Sequence, residues 1–265
     1  MTLFAFASSH GAPGVTATVM GLAAAWPATT GRDVLVIEAD PDGGVLATRF
    51  EELRADRTLA DVAVDVRRSF DIDAVLGSAR QVWGGVPVVV APPSAEQTHS
   101  ALSAGGDALA AGLAASDSVD VLVDVGRLTV RSPALHLARR ALSTIFVTRP
   151  TFEAAASLAA RVPEVAAHGC DPGLVLVGDQ PYPPRDFELA VGVPLIGLLP
   201  HDRRAAVVFA GGPGSERHVR RSLLWRSLGD LASRLVARVD VPTDGPLQSH
   251  APRAAAEAGR AGVAS

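Results

Sequence analysis

The sequence contains no lysine, because every one of its 24 basic residues is an arginine. Any anion that this chain binds is therefore held without an ammonium group from one of its own lysines. The single cysteine, Cys170, excludes an internal disulfide and fits a reducing compartment. Aromatic residues make up only 5% of the chain and the formal net charge is −4. Stacking platforms for single-stranded nucleic acid and a basic DNA-coating surface are therefore not expected.

Long apolar runs are also missing. The chain does not open on a cationic segment followed by an apolar core, and no run of 18 apolar residues follows. These absences predict a cytoplasmic protein that does not span a membrane. Hydrophobic residues nevertheless make up 48% of the 265 residues, which is enough to build a sizeable core.

Short β-branched runs alternate with longer stretches rich in alanine and leucine. Most of the short runs are apolar throughout, which is typical of strands covered on both faces. The alternation predicts an α/β fold with a doubly wound, mainly parallel sheet of about seven strands and helices on both faces. Predicted strands lie at 3–7, 33–37, 86–91, 119–123, 144–148, 174–177 and 194–198, and predicted helices at about 14–26, 58–69, 95–115, 132–141, 151–167, 184–191 and 202–210.

A last helix is predicted over 220–239, with Leu224, Leu228, Leu231 and Leu235 on one face. Its polar face mixes charges of both signs, which favours packing on the sheet over binding to an anionic membrane. We expect residues 1–239 to form a single domain. The proline-, alanine- and glycine-rich segment 240–265 is expected to be a disordered tail.

Residues 8–18 link the first predicted strand to the first helix through a glycine-containing turn. Such a turn directs backbone N–H groups and a positive helix end at one point, which suits a phosphate. Against the template G-x-x-x-x-G-K-[ST], this stretch supplies the second glycine, Gly14, and the hydroxyl of Thr16. Val15 replaces the lysine. An ordinary strand-to-helix turn with glycines for close packing is the alternative.

Two other predicted strands end in carboxylates, at the sheet edge where open α/β folds bind ligands. Glu38 and Asp40 follow the second strand, and Asp124 precedes Gly126 after the strand at 119–123. An apolar strand that ends in an aspartate is the Walker B arrangement, whose carboxylate binds the magnesium shell alongside the loop hydroxyl. For Asp40 the alternative is a plain acidic turn.

In this order, the three motifs resemble those of the ParA/MinD-type ATPases. The family pattern K-G-G-x-G-K-T maps onto residues 10–16, with His10 and Val15 at the two lysine positions. The acidic run of the family maps onto residues 38–43, and its G-x-P-hydrophobic-G-x-x-P-x-D stretch maps onto residues 192–202. The resemblance covers roughly residues 2–239 and implies the P-loop NTPase-like fold.

The resemblance also implies a site for ATP and Mg²⁺. Asp40 would orient the attacking water, and Thr16, Asp40 and Asp124 would form the metal site. Nucleotide contacts would come from His10, Gly11, Ala12, Gly14, Val15, Thr16 and Ala17, with Pro200 and Asp202 beside the adenine. Relatives often read the base with an asparagine where this chain has Gly178 and Asp179, so base recognition departs from the pattern.

Arginine binds phosphate in bidentate geometry and can replace a lysine, but none lies in the loop. Arg127 and Arg131, just past the Walker B strand, are the nearest candidates, and solvated loop arginines are the alternative. Other chemistries lack their signatures. The seven histidines show no H-E-x-x-H spacing, and neither a G-x-S-x-G elbow nor a G-x-G-x-x-G loop is present.

Two functional interpretations follow from the resemblance. In the first, the protein is an ATP-binding positioning or partitioning factor with a degenerate Walker A loop and weak or absent hydrolysis. It would act as a homodimer with a protein partner, and irregular loops of this kind in CpaE/TadZ-like proteins point to pilus or secretion-system assembly. In the second, it is a pseudo-ATPase scaffold that binds no nucleotide productively. Nucleic-acid and peripheral membrane contacts are disfavoured.

Overall fold

The structure is a computed structural model that describes residues 2–10, 14–53 and 57–239. Eight strands of this part of the chain form one sheet. They are β1 Leu3–Ser8, β2 Val34–Glu38, β3 Arg80–Val82, β4 Val86–Val89, β5 Asp120–Arg127, β6 Ser143–Thr148, β7 Pro172–Val177 and β8 Leu195–Leu199. The helices are α1 Val15–Thr30, α2 Leu46–Arg49, α3 Leu59–Val66, α4 Ile72–Gly77, α5 Ala95–Ala115, α6 Leu135–Ala138, α7 Phe152–Ala166, α8 Pro184–Val191, α9 Arg203–Phe209, α10 Glu216–Val219 and α11 Leu223–Val239.

The strand order is β3-β4-β2-β5-β1-β6-β7-β8, and every neighbouring pair is parallel except β3 with β4. The predicted doubly wound, mainly parallel sheet is therefore confirmed. The predicted count of about seven strands missed β3. This edge strand has only three residues, and two of them, Arg80 and Gln81, are exposed polar residues without an apolar pattern.

Both faces of the sheet are buried, because successive side chains of each strand point to opposite sides. In β1, Leu3 and Ala5 belong to one apolar core, and Phe4 and Phe6 belong to the other. Residues from α3, α5, α7 and α8 complete the first core, and residues from α1, α9 and α11 complete the second. The continuous apolar runs in the sequence reflect this two-sided burial.

Side-chain caps fix the start of several helices. At α3, the Thr58 hydroxyl accepts from the backbone N–H of Ala60 at 3.3 Å, and the Asp61 carboxylate accepts from the backbone N–H of Thr58 at 2.8 Å. The hydroxyl of Ser94 accepts from the backbone N–H of Gln97 at α5, and Thr151 accepts from Ala154 at α7. These caps lie where the sequence predicts helix starts.

The last helix packs on the sheet side, as predicted. Leu224, Leu228, Leu231 and Leu235 of α11 are buried in the same core as α1. At its start, the guanidinium of Arg220 lies 5.7 and 5.0 Å from the ring centroids of Trp83 and Trp225, which ties this end of the helix to the edge strands.

None of the helices described is long and apolar enough to cross a membrane. The segment 240–265, expected to be a disordered tail, lies outside the described residues.

Candidate functional site

The site forms where β1, β2 and β5 end side by side. Asp124 of β5 is in register with Glu38 of β2 and with Phe6 of β1. The backbone N–H of Ala39 donates to the carbonyl of Asp124 at 2.8 Å, which extends this pairing to the strand ends. The carboxylates that are far apart in sequence therefore meet at one sheet edge, directly beside the loop that follows β1.

Thr16 and Asp124 are in direct contact. The Thr16 hydroxyl donates to Oδ2 of Asp124 at 2.6 Å, and the backbone N–H of Gly126 donates to Oδ1 at 3.0 Å. Burial raises the pKa of Asp124 to about 6, although these two hydrogen bonds act to lower it. The first turn of α1 and the end of β5 are thus joined through one buried carboxylate.

Asp40 lies against the backbone of Gly126. A Cβ added to Gly126, whose φ is +60°, would lie 2.1 Å from Cγ of Asp40, so only glycine fits there. Burial raises the pKa of Asp40 above its ordinary value, while the backbone N–H of Asp42 and the charge of Arg127 lower it. Asp40 is therefore fixed at the mouth of the site, next to Asp124.

Glu38, the first acidic residue of the run, is almost fully buried and holds the backbone in place. Its carboxylate accepts from the backbone N–H groups of Val45, Leu46 and Ala91 at 2.8, 3.0 and 3.1 Å. Burial raises its pKa to about 7 despite these three donors. Glu38 thereby positions the start of α2 and the end of β4.

Two adjoining hollows open along this edge. The first, of about 300 Å³, is lined by Thr16, Asp40 and Asp124 and by the first turn of α1. The second, of about 200 Å³, is mainly apolar and is lined by Val177, Leu199 and the face of α9. Gly14, Ala17 and Ala210 line both hollows, so the two hollows adjoin, and we call the two together the groove. We call the first the acidic cleft and the second the apolar pocket.

Most of the residues that the sequence singled out line this groove. Gly14, Val15, Thr16 and Ala17 lie on the acidic cleft with Asp40 and Asp124, and Pro200 and Asp202 lie on the apolar pocket. The Asp202 carboxylate also caps α9 by accepting from the backbone N–H of Ala205 at 3.0 Å.

The remaining loop residues are placed differently. His10 is exposed, with Nδ1 3.4 Å from the hydroxyl of Ser9, and it does not line either hollow. Val15 is only 6% exposed because it also packs in the core beneath α1. Gly11 and Ala12 lie outside the described residues.

The two arginines that the sequence analysis named as possible substitutes for the lysine lie in different hollows. Arg127 lines the acidic cleft, whereas Arg131 lines a different hollow between α5 and α6. Two further arginines that the motifs gave no reason to select also reach the groove: Arg49 on the acidic cleft and Arg149 on the apolar pocket. Their positions depend on α2 and on the end of β6, so no local pattern could have identified them.

The donor set of the acidic cleft suits magnesium held together with a phosphate. No group of three or more histidine, cysteine, aspartate or glutamate side chains in the described part of the chain could hold a metal ion by itself. Mg²⁺ typically keeps several waters and takes one or two carboxylates together with substrate phosphates. The Thr16 hydroxyl and the Asp124 carboxylate, 2.6 Å apart, offer the oxygen ligands that such a partly hydrated ion requires.

Solved structures with the same fold are numerous among known proteins. A ParA family ATPase from Chlorobium tepidum TLS matches with a TM-score of 0.74 and 16% identity, over 88% of this chain and 98% of that one. The septum site-determining protein MinD from Pyrococcus horikoshii OT3, complexed with Mg-ADP, matches with a TM-score of 0.71 and 17% identity, over 91% and 99%. A MinC:MinD cell division protein complex from Aquifex aeolicus matches with a TM-score of 0.65 and 14% identity, over 89% and 96%.

These likenesses establish that the chain has the fold of the ParA and MinD ATPases. At 14–17% identity they show the fold alone. No family model matches the sequence, and no curated protein matches it either.

Proposed function

We propose that this protein binds ATP with Mg²⁺ in the groove and acts as a ParA/MinD-like positioning or partitioning factor with weak or absent hydrolysis. The observation that carries the proposal is the pair of adjoining hollows at the carboxyl edge of the sheet, which share Gly14, Ala17 and Ala210. Its acidic cleft holds a hydroxyl–carboxylate pair at the first turn of α1, and its apolar pocket is of a kind that takes a nucleobase. A nucleotide needs both hollows, a polar one for its phosphates and an apolar one for its base.

The residues of the groove would have distinct tasks. The first turn of α1 presents unpaired backbone N–H groups toward the cleft, which attract phosphate oxygens. Thr16 and Asp124 would hold the metal shell, and a bound Mg²⁺ would supply positive charge to the phosphates. Asp40, which lies against Gly126, would orient a water molecule at the mouth of the cleft.

Slow or absent hydrolysis follows from the missing lysines. The loss of one charge-assisted phosphate contact costs roughly 1.5–3 kcal/mol, or about one to two decades of affinity. Binding at high cellular ATP can survive such a loss. Hydrolysis depends on cations that meet the charge of the transition state, and the two family lysine positions are His10 and Val15 here.

Titration with a fluorescent ATP analogue, with magnesium and with excess chelator, tests the proposal. We expect binding that depends strongly on magnesium, because Asp40 and Asp124 bring negative charge to the phosphates without an ammonium group to balance it. Thr16→Ala should weaken binding about tenfold and reduce the magnesium dependence. Thr29→Ala, an exposed position at the far end of the same helix, is the matched control.

The outcomes separate the two interpretations. Equal affinity in magnesium and in chelator would contradict the metal-assisted site. An absence of binding would favour the pseudo-ATPase scaffold, which has the same fold without a productive nucleotide site. A homodimer with a protein partner, acting in pilus or secretion-system assembly, is the extension of this proposal. Sedimentation of the same samples with ATP and magnesium tests the dimer, and a monomer under all conditions would contradict it.

A further inference from the structure

Two arginines lie on the acidic cleft without a carboxylate partner. Arg49 ends α2 and Arg127 ends β5, and both line the cleft with Thr16 and Asp124. Neither belongs to an ion pair within 4.0 Å among the residues that the structure describes. Both side chains are exposed, so they are accessible to a ligand that enters the cleft.

We infer that Arg49 and Arg127 together supply the positive charge that the loop lysines would give, by binding the phosphates of a nucleotide in the acidic cleft. This inference rests on the proposed function, and it assigns the phosphate contacts to two residues outside the loop.

The backbone holds Arg127 at the mouth of the cleft. The preceding residue, Gly126, lies directly against Asp40, and the following residue, Leu128, donates its N–H to the carbonyl of Ser8 at 3.1 Å. These contacts attach the end of β5 to the end of β1, where the loop begins. Arg127 and Asp40 line the same cleft, and the charge of Arg127 lowers the pKa of Asp40.

Arg49 reaches the cleft from a separate element. The hydrogen bonds from Val45 and Leu46 to the buried Glu38 anchor the start of α2. At its other end, the stem of Arg49 packs on Gly211, where an added Cβ would lie 2.8 Å from Cβ of Arg49. The neighbouring Ala210 lines both hollows of the groove. The Cβ of Arg49 therefore lies beside the segment that lines both hollows, and its exposed side chain lines the acidic cleft.

The charges in the cleft make such a role necessary. The acidic cleft is lined by three carboxylates, of Asp40, Asp42 and Asp124, and by the two guanidinium groups. A triphosphate is strongly anionic and would be repelled by the carboxylates alone, even with one Mg²⁺ present. A guanidinium group matches phosphate in bidentate geometry and keeps its charge at all physiological pH values.

The experiment compares ATP-analogue binding by the full chain and by Arg49→Gln, Arg127→Gln and the double variant, all with magnesium. We expect each single change to weaken binding about five- to tenfold and the double change to weaken it further. Binding by the unaltered protein should weaken as salt rises, and the double variant should respond less. Arg127→Lys should retain part of the affinity. Arg131→Gln removes an exposed arginine from the separate hollow and should bind like the unaltered protein.

Failure of this inference can be told apart from failure of the proposed function. If the unaltered protein binds the analogue and both glutamine variants bind equally well, the arginine assignment is overturned while the nucleotide site stands. If Arg131→Gln loses as much affinity as Arg127→Gln, the effect is one of overall charge and the assignment also fails. If the unaltered protein binds no nucleotide, the proposed function fails and this inference fails with it. Thermal melts of all variants exclude loss of folding as the cause.

Discussion

Val15 is the residue that the resemblance to the ParA/MinD-type ATPases aligns with the lysine of a P-loop, and its side chain has contacts in two environments. It packs in the core beneath α1 and also lines the acidic cleft. A long side chain at this position can extend along the apolar wall and place its head group in the cleft. A single substitution at this residue therefore tests whether the cleft is built to hold phosphate.

We expect Val15→Lys to raise the affinity for ATP by about one decade, since it adds one charge-assisted contact in a cleft that has no ammonium group. Val15→Met, a long uncharged side chain, is the matched control and should leave affinity unchanged. The measurement is the same fluorescence titration, with a thermal melt to establish folding. Unchanged affinity in a folded Val15→Lys protein would mean that the loop does not cradle phosphate, and the pseudo-ATPase interpretation would be preferred.

At the scale of elements, the end of β5 determines the geometry of the site. The strand carries Asp124, turns through Gly126 at a positive φ and continues into Arg127. The turn brings the backbone so close to Asp40 that no side chain fits between them. Gly126 thus contacts both carboxylates, since its backbone lies against Asp40 and its N–H donates to Asp124.

Gly126→Ala should displace Asp40 or the strand end, because the new methyl group would overlap the Asp40 carboxylate at an unfavourable φ. We expect a loss of about 1–3 kcal/mol in the free energy of unfolding, together with weaker nucleotide binding. Gly77→Ala is the matched control: it ends α4, has ordinary φ and has no atom within 4 Å of its added Cβ. Chemical denaturation measures both variants. An unaltered stability of Gly126→Ala would show that the strand end adjusts freely.

The short helix α2 explains why the cleft contains Arg49, an arginine that no motif includes. α2 has only four residues and no apolar periodicity of its own, so its position depends on the hydrogen bonds to Glu38. Glu38 is the last residue of β2. Strand β2 therefore positions Asp40, which follows it directly in the chain, and also Arg49, because the hydrogen bonds to Glu38 hold the start of α2. The acidic run after β2 thus has a structural residue, Glu38, as well as a candidate functional one.

At the scale of the whole molecule, burial of carboxylates links stability to pH. The pKa of Glu38 is raised to about 7 and that of Asp124 to about 6, whereas both groups titrate near 4 in an unfolded chain. Between these values the folded protein binds more protons than the unfolded chain. The free energy of unfolding therefore decreases as pH rises from about 4 to about 7.

We expect the metal-free protein, in the presence of chelator, to lose on the order of 4 kcal/mol of stability between pH 5 and pH 8. Asp124→Asn should flatten part of this dependence, because it removes one of the two titrating groups. Asp117→Asn, at an exposed position, should leave it unchanged. Denaturant unfolding at a series of pH values gives the profile. Stability that is constant or rises over this range would contradict the assignment of these groups as protonated in the folded protein near pH 5.

Local sequence patterns were enough to predict the parallel sheet and its longer strands and helices. Apolar runs of four to eight residues and capped, alanine-rich helices are local signals, and all seven predicted strands and the predicted final helix are present. The same patterns predict that Thr16, Asp40 and Asp124 lie at strand or helix ends. Side chains at such ends meet at one edge of a parallel α/β sheet, so their proximity could also be predicted.

Which charges share the cleft depends on tertiary contacts. Arg127 and Arg131 are four residues apart and equivalent by sequence, yet one lies beside Asp40 and the other between α5 and α6. Arg49 entered the cleft through α2, and the edge strand β3 formed by pairing with β4 rather than through a pattern of its own. These outcomes depend on contacts between residues distant in the chain, whose free energies are set by packing and burial of the whole molecule and leave no mark on local sequence patterns.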